Sequence, residues 1–476
     1  MKYLKFLITI LSAISYGILC YFLNDLYLLK NTLVLVGVAV LLVVILLMSF
    51  GLLKLKSKIF KFILTLLLII IIGVNSVGTY YLAVTDNFIS KFDDKVIEYD
   101  YYYLLSLKSS NIKTVDDLNN KVIGVTENNQ EKVIDFIDVS VESKVNSNIT
   151  NLISEFYLEN YNAVLISEIE KFVWQEYDEK FFENIDVIAT FKEEKKENTN
   201  SNANEVVEIN FDKPFAVYIS GIDNAGSISS IGRSDVNIVM TVNPETSQVL
   251  LTSIPRDYYV QLHGTTGVRD KLTHAGVYGI DMSVTTIEDL LGIDIINYIK
   301  VNFNTVTDLI NLVGGIDIYS DIALNHCNVV AGNNHLNGKN ALCFARERKS
   351  YAAGDRQRGV NQEIVIEALI KKVSTSKELL LKYNDVLNSL SNNLYTNVSS
   401  EFIKQMVGYQ LDKMPNWQVK FLNLDGYGSS NITYSCGDMM LYVMEPNYDT
   451  VNNAKAAIND VLNGKLYSEM NYPFTK

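Results

Sequence analysis

Three uncharged apolar runs dominate the start of the chain: Phe6–Asn24, Asn31–Leu53 and Phe62–Thr85. Each has about the 20 residues that a membrane-spanning helix needs. Lys2 and Lys5 precede the first run, and Lys54, Lys56, Lys58 and Lys61 crowd the gap between the second and third. Loops on the cytoplasmic side collect such charges. The pattern predicts three spans over residues 1–86, with the N-terminus in the cytoplasm and everything later outside the cell membrane. No small-residue cleavage site follows the first run, which argues against a removable signal peptide. ATP is absent outside the membrane, so an enzyme there needs substrates that arrive already activated.

Beyond residue 86 the apolar runs shorten and alternate with polar segments. Residues 87–192 read as a small accessory α/β domain, with a capped turn at Thr114–Leu118 and buried strands at Lys121–Val125 and Asn162–Ile166. The stretch SLKSSNIKTVDDLNNKVIGVT resembles the opening of one lobe of a periplasmic-type solute-binding protein, over about 20 residues; the plainer reading is a spacer domain. Residues 193–207 are charged and then Asn-rich, a composition that buries no core and reads as a linker. From 208 to 476 strands are predicted at Phe215–Ile219, Val236–Val242, Val249–Ile254, Gly315–Tyr319 and Trp417–Leu424. Helices are predicted at Ser283–Leu291, Thr305–Val313, Gln362–Val373, Ser376–Leu390 and Glu401–Asp412. This alternation predicts a layered α/β/α domain around a central mixed sheet.

The net charge of −13 disfavours a general nucleic-acid binder, which needs a broad basic face. Of four cysteines, Cys20 falls in an apolar run; Cys327, Cys343 and Cys436 form no CxxC pair, excluding zinc-ribbon and thioredoxin-type motifs. A Cys327–Cys343 disulfide and free thiols both remain open.

Chemistry concentrates in the arginines. Of 41 basic residues only seven are arginine: Arg233, Arg256, Arg269, Arg346, Arg348, Arg356 and Arg358. All lie in one stretch of the last domain. A chain that uses lysine for generic positive charge keeps arginine where a planar fork must meet phosphate or carboxylate. The cluster points to a polyanion such as a diphosphate, against the alternative of separate structural ion pairs. Asp223 ends the first predicted strand of this domain and Asp235 precedes the next; both could project at strand ends and hold magnesium, unless they are ordinary turn aspartates. Arg256 in SIPRD sits just past a core strand, where α/β domains place ligands.

Six segments carry a resemblance: GIDNAGSISSIGRSDVNIVMTVNP at 221–244, LLTSIPRDYYV at 250–260, DKLTHAGVYG at 270–279, NLVGGIDI at 311–318, HLNGKNALCFARERK at 335–349 and GDRQRGVNQEIV at 354–365. In order and spacing they resemble the LytR-CpsA-Psr family of Gram-positive bacteria, and the three spans with an accessory domain look like its CpsA-type members. The resemblance implies a phosphotransferase that moves a glycopolymer, such as teichoic acid or capsular polysaccharide, from an undecaprenyl-pyrophosphate carrier to peptidoglycan. It implies magnesium on Asp223 and Asp235, and a pyrophosphate cradle of Arg233, Arg256, Arg346, Arg348, Arg358 and Gln362. Asp235, Arg256, Arg346 and Arg348 would form the catalytic set. Glu363 replaces a second glutamine found in many members, and Phe344 a tyrosine. Arg269 and Arg356 match the family less securely and remain surface or supporting candidates.

Such chemistry is mostly positioning and charge neutralisation. Asp235 and Asp257 are both candidates to accept the acceptor's proton. Met240, Leu250, Leu251, Leu290, Ile295 and Ile299 either line a lipid groove or form core. His263 and His274 read more readily as structural than as catalytic, and no G-x-S-x-G elbow supports a serine hydrolase. Two other functions remain: a hydrolase of polyprenyl pyrophosphates, and a non-enzymatic membrane sensor that uses the accessory domain.

Overall fold

The computed structural model describes residues 2–93, 99–178, 180–194, 211–222, 232–351, 355–375 and 394–474. The three apolar runs form α1 (Lys2–Asp25), α2 (Thr32–Lys54) and α3 (Lys58–Ser90). All are long and apolar enough to cross a membrane, with hydropathies of 2.1, 3.2 and 2.4. The side chain of Asn31 accepts from the N–H groups of Leu33 and Val34, and Ser57 accepts from Phe60. These caps satisfy donors that a first helical turn leaves without partners.

The next unit contains β1 (Tyr99–Leu107), β2 (Lys121–Thr126), α4 (Gln130–Phe136), β3 (Val141–Asn146), α5 (Ile149–Tyr157), β4 (Ala163–Ser167), α6 (Glu168–Tyr177), α7 (Phe181–Asn184) and β5 (Ile185–Glu194). Its sheet runs β3-β2-β4-β1-β5; β2 is parallel to β3 and β4, while β1 is antiparallel to β4 and β5. Strand β4 is apolar on both faces because helices cover both. Leu152, Phe156 and Trp174 fill one side, and Leu118 and Val133 the other. The turn predicted at Thr114–Leu118 is a short 3-10 helix, Asp116–Leu118, whose entry is tied by the Asp117 carboxylate to the N–H groups of Lys113 and Thr114. Strand β5 takes the first two residues of the segment read as a linker. The rest of that segment lies outside the described residues, as does the helix expected at Ser376–Leu390.

A larger unit follows. Its central sheet uses β6 (Phe215–Ile222), β7 (Ser234–Asn243), β8 (Gln248–Ile254), β11 (Asn297–Asn302), β14 (Leu394–Thr396) and β15 (Gln418–Asn423), in the order β14-β11-β6-β7-β8-β15. Strands β6, β7 and β8 form an antiparallel meander; β11 runs parallel to β6 and β15 parallel to β8. Alternate side chains face opposite sides of a strand. Tyr218, Val239 and Leu250 therefore meet α9 (Ile280–Leu291) and α14 (Tyr448–Leu462) on one face. Val217, Met240 and Leu251 face α12 (Asp355–Thr375) and α13 (Ser400–Lys413), through Ile366 and Phe402. The result is the expected three-layer α/β/α arrangement around a mixed sheet.

The same alternation decides the lipid-groove residues. Leu250 and Leu251 are strand neighbours and point to opposite faces. Leu250, Leu290 and Ile295 pack beneath α9 and α14, whereas Met240, Leu251 and Ile299 pack on the other face. These six are core residues and form no single groove.

Three smaller features flank the sheet. A ladder of β9 (Tyr259–Val260) and β10 (Asp270–Lys271) leads into α8 (Leu272–Ala275). The hairpin of β12 (Ile316–Ser320) and β13 (Gly332–Leu336) shares a core with α10 (Phe303–Leu312), α11 (Gly338–Arg346) and α12. A second hairpin joins β16 (Gly426–Thr433) to β17 (Gly437–Pro446). Cys327 and Cys343 are joined in a disulfide, with Cα atoms 5.3 Å apart, which ties the loop between β12 and β13 to α11.

Candidate active site

Strands β8 and β15 are parallel, and their C-terminal ends reach the same edge as the start of antiparallel β7. Ligands of α/β sheets bind beyond such strand ends. A cavity of about 270 Å³ opens here. Asp235, Asn237, Ser253, Arg256, Asn423 and Asp425 come from the strand ends, and Arg358 and Gln362 from the first turns of α12. Arg358 and Gln362 are four residues apart on a helix and so present one face. Four residues named from the sequence thus line one cavity: Asp235, Arg256, Arg358 and Gln362.

The Arg256 loop is held rigidly. Its carbonyl accepts from Thr273 N at 2.8 Å, and the Asp257 carbonyl accepts from Met444 N at 2.7 Å. The Arg256 guanidinium pairs with Asp235 at 2.5 Å and lies 3.6 Å from Asp257. Thr273 donates its hydroxyl to the same Asp235 oxygen at 3.2 Å. Lys271 is buried and sits 3.4 Å from Asp257. Two cations and two carboxylates therefore interlock beneath the cavity, a charge-paired frame that leaves little conformational freedom. Lys271 and Thr273 were missed as site residues. Both stand in the quoted DKLTHAGVYG segment, but the contrast of arginine against lysine passes over them.

Glycine at 276 allows this frame to close. A Cβ there would meet the carbonyl of Gly232 at 2.6 Å and the N of Ser234 at 2.8 Å. The turn after α8 thereby packs directly on the strand start that carries Arg233 and Asp235.

Other expected residues lie elsewhere. Arg346 ends α11 and Arg348 follows it; both side chains are exposed and neither lines the cavity. Buried Asn361 on α12 donates to the Phe344 carbonyl at 3.1 Å, which fixes the end of α11 beside the helix that carries Arg358 and Gln362. Between the two arginines, Glu347 accepts from Ser350 N and bonds His326. Burial pushes the Glu347 carboxyl up, but these partners outweigh it and hold it below the usual carboxylate range. Arg233 turns to the accessory unit, where it pairs with Glu176 at 2.5 Å and lies over the Phe172 ring. Asp223 and the side chain of Arg356 lie outside the described residues.

The remaining candidates are structural. Arg269 pairs with Glu445 at 3.1 Å and stacks on Tyr259. Glu363 is buried off the cavity, accepting from Asn423. His263 is exposed and meets Asp289 at 2.8 Å; His274 is buried, bonded to Asp270 at 2.6 Å, with its ring against Phe172.

Asp235 puts a carboxylate on the cavity, a group of the class that magnesium takes, with its Oδ1 already bonded to Arg256 and Thr273. Among the described residues, the His/Cys/Asp/Glu group close enough to share an ion is His326, Cys327 and Cys343. The sulfurs of that group are spent in the disulfide, so it offers no thiolate ligands.

The sequence profile of the LytR_cpsA_psr family matches residues 182–457. The chain belongs to this family. Among curated relatives, a polyisoprenyl-teichoic acid–peptidoglycan teichoic acid transferase TagU of Bacillus mycoides is 37% identical over 209 residues, covering 43% of this chain and 67% of the relative. The TagU of Bacillus anthracis is 34% identical over 240 residues, or 50% of this LytR_cpsA_psr protein and 77% of the relative. Among solved structures, TagV of B. subtilis is 30% identical, with a TM-score of 0.45 over 53% of this chain and 98% of its own.

Proposed function

We propose that this LytR_cpsA_psr protein is a phosphotransferase that moves a glycopolymer from an undecaprenyl-pyrophosphate carrier to peptidoglycan through a phosphodiester. The carrying observation is the cavity at the ends of β7, β8 and β15, where Arg256 and Arg358 converge with Gln362 and Asp235. Two guanidiniums and an amide lining one cavity suit a diphosphate. The names of the TagU relatives, teichoic acid transferases acting on a polyisoprenyl-linked donor and peptidoglycan, support the same reading.

In the reaction a peptidoglycan sugar hydroxyl attacks the phosphorus attached to the glycopolymer. The bond from that phosphorus to the bridging oxygen breaks, and polyprenyl phosphate leaves. Arg256 and Arg358 neutralise the charge that builds on the leaving phosphate, a term worth orders of magnitude in rate. In this reading Asp235, which lines the cavity while Asp257 does not, takes the hydroxyl proton. Arg233, Arg346 and Arg348 stand off the cavity wall here and would join the cradle only by turning toward a bound donor. Magnesium held by Asp235 with Asp223 would supply further neutralisation of the diphosphate.

The large domain works outside the membrane. A disulfide suits an oxidising compartment. Lys404 on α13 pairs with Asp25 after the first apolar helix and Asp86 near the end of the third, which supports both lying on the side of the large domain.

The test is mass spectrometry after incubating the full chain with a polyprenyl-diphosphate-linked glycopolymer and peptidoglycan fragments. A covalent polymer–peptidoglycan adduct is expected, lost in Arg256→Lys. Release of free polymer phosphate without adduct would make the protein a hydrolase. No turnover, together with intact wall-polymer attachment in cells carrying Arg358→Lys, would overturn the enzyme reading.

A further inference from the structure

Helix α13 divides its surface three ways. Phe402 and Tyr409 point into the domain core against Phe211 and Phe215. A second face meets the ends of the apolar helices. Lys404 binds Asp25 at 2.6 Å and Asp86 at 2.7 Å. Glu401 accepts from the Tyr27 hydroxyl, and Ser400 N donates to Asp93 at 2.8 Å. Gly408 lets the turn after α1 come close, since a Cβ there would lie 2.7 Å from the Cβ of Tyr27. Helical spacing of 100° per residue separates this second face from the core face by about a third of a turn.

The third face is apolar and exposed. Leu411 is 43% exposed, and Met414, which caps the helix, 74%. Its height above the anchor is fixed by one contact: Asn31, the N-cap of α2, donates its side-chain amide to the Leu411 carbonyl at 3.0 Å. Leu411 thus stands level with the first turn of an apolar helix whose own Leu33 is 82% exposed. Exposed Lys30 directly precedes Asn31, and exposed Lys413 follows Leu411 by two residues. An apolar face that continues the apolar surface of the helices, fringed by lysines, has the composition of an interfacial segment.

We propose that α13 is a membrane-interface helix of the large domain. Leu411 and Met414 enter the outer leaflet at the boundary of headgroups and acyl chains, a depth of roughly 5–10 Å. The lysine heads stay among the phosphates while their stems lie along the apolar surface. The large domain is then seated on the bilayer by two adjoining faces of one helix, and its cavity keeps a set height above the leaflet that holds the lipid carrier. This rests on the reading of α1, α2 and α3 as membrane spans.

The experiment uses the full chain in vesicles of phosphatidylglycerol and phosphatidylethanolamine brominated either near the headgroup or near the chain ends. Leu411→Trp and, separately, Met414→Trp introduce a reporter on the proposed face, and Leu42→Trp one in the middle of α2. Of the two native tryptophans, Trp174 is fully buried in the accessory unit and Trp417 packs against Tyr409 of α13; subtracting the unsubstituted chain removes both signals. Emission from the α13 reporters is expected to be lost with shallow bromines and kept with deep ones, whereas Leu42→Trp loses emission with deep bromines. Quenching of Leu42→Trp with neither α13 reporter quenched overturns the interface proposal and leaves the spans standing. Failure of all three reporters to respond overturns the membrane reading and the proposal with it.

Discussion

At the scale of single residues, the site rests on a few charges with little slack. Arg256 is mostly buried against Asp235 and Asp257. Removing one partner of a buried pair strands the other, so Arg256→Ala should cost about 3 kcal/mol in unfolding free energy as well as activity. Denaturant melts of the purified chain measure this. Arg358 comes from a helix surface and faces the cavity, so Arg358→Lys should keep stability while lowering kcat about 100-fold, the scale of losing one transition-state donor. Equal loss of stability in both variants would remove the distinction. Cys436 offers a check on burial: its surroundings push the thiol up to about 12. It should therefore resist alkylation at pH 8 in the native protein and react after denaturation, as read by mass spectrometry. The sequence exposed Arg256 and Arg358 because scarce arginine stands out in a lysine-rich chain. It hid Lys271 for the same reason, and it hid the partner of Arg233, since Glu176 lies in a different unit that no local pattern connects to it.

Elements were legible where burial imposes a period. Strands β6, β7 and β8 and helices α9 and α10 show it plainly, because each packs a continuous apolar run or stripe. Helix α14 escaped notice: its buried face relies on Ala454 and Ala457 beside Val451, Ile458 and Val461, and small residues give a weak periodic signal. Hairpin β16–β17 was also unread, since β16 is largely polar and only half-buried. The disulfide could not be settled from spacing, because Cys327 and Cys343 become neighbours only when the loop folds over α11. Closing a loop with a sequence separation of 16 restricts the unfolded chain, so replacing both cysteines by serine should lower stability by about 3 kcal/mol. Adding a reductant to the unsubstituted chain should produce the same shift in unfolding midpoint. Because α11 delivers Arg346, the double variant should also lose transfer activity at temperatures where the rest of the domain stays folded.

Across the whole molecule, the accessory unit rests against the catalytic one beside the cavity. Phe172 and Val173 of α6 pack with Val277 and Cys436, and the Phe172 ring meets His274 at 4.9 Å. From this contact Glu176 reaches Arg233, two residues before Asp235. If Arg233 serves the proposed diphosphate cradle, a carboxylate there competes with the diphosphate for the same guanidinium. The Arg233 side chain is 37% exposed, so solvent weakens the pair to about 1 kcal/mol or less. On that reading a bound donor would displace Glu176 and lose that difference in affinity. Glu176→Gln should tighten binding of a polyprenyl diphosphate by up to about fivefold, the factor that 1 kcal/mol represents. Isothermal titration with the full chain measures it. Arg233→Ala should erase the gain, because the two substitutions act on one contact and cannot add. If Glu176→Gln instead weakens binding, the carboxylate is holding Arg233 in its working position, and the accessory unit assembles the site rather than competing with its ligand.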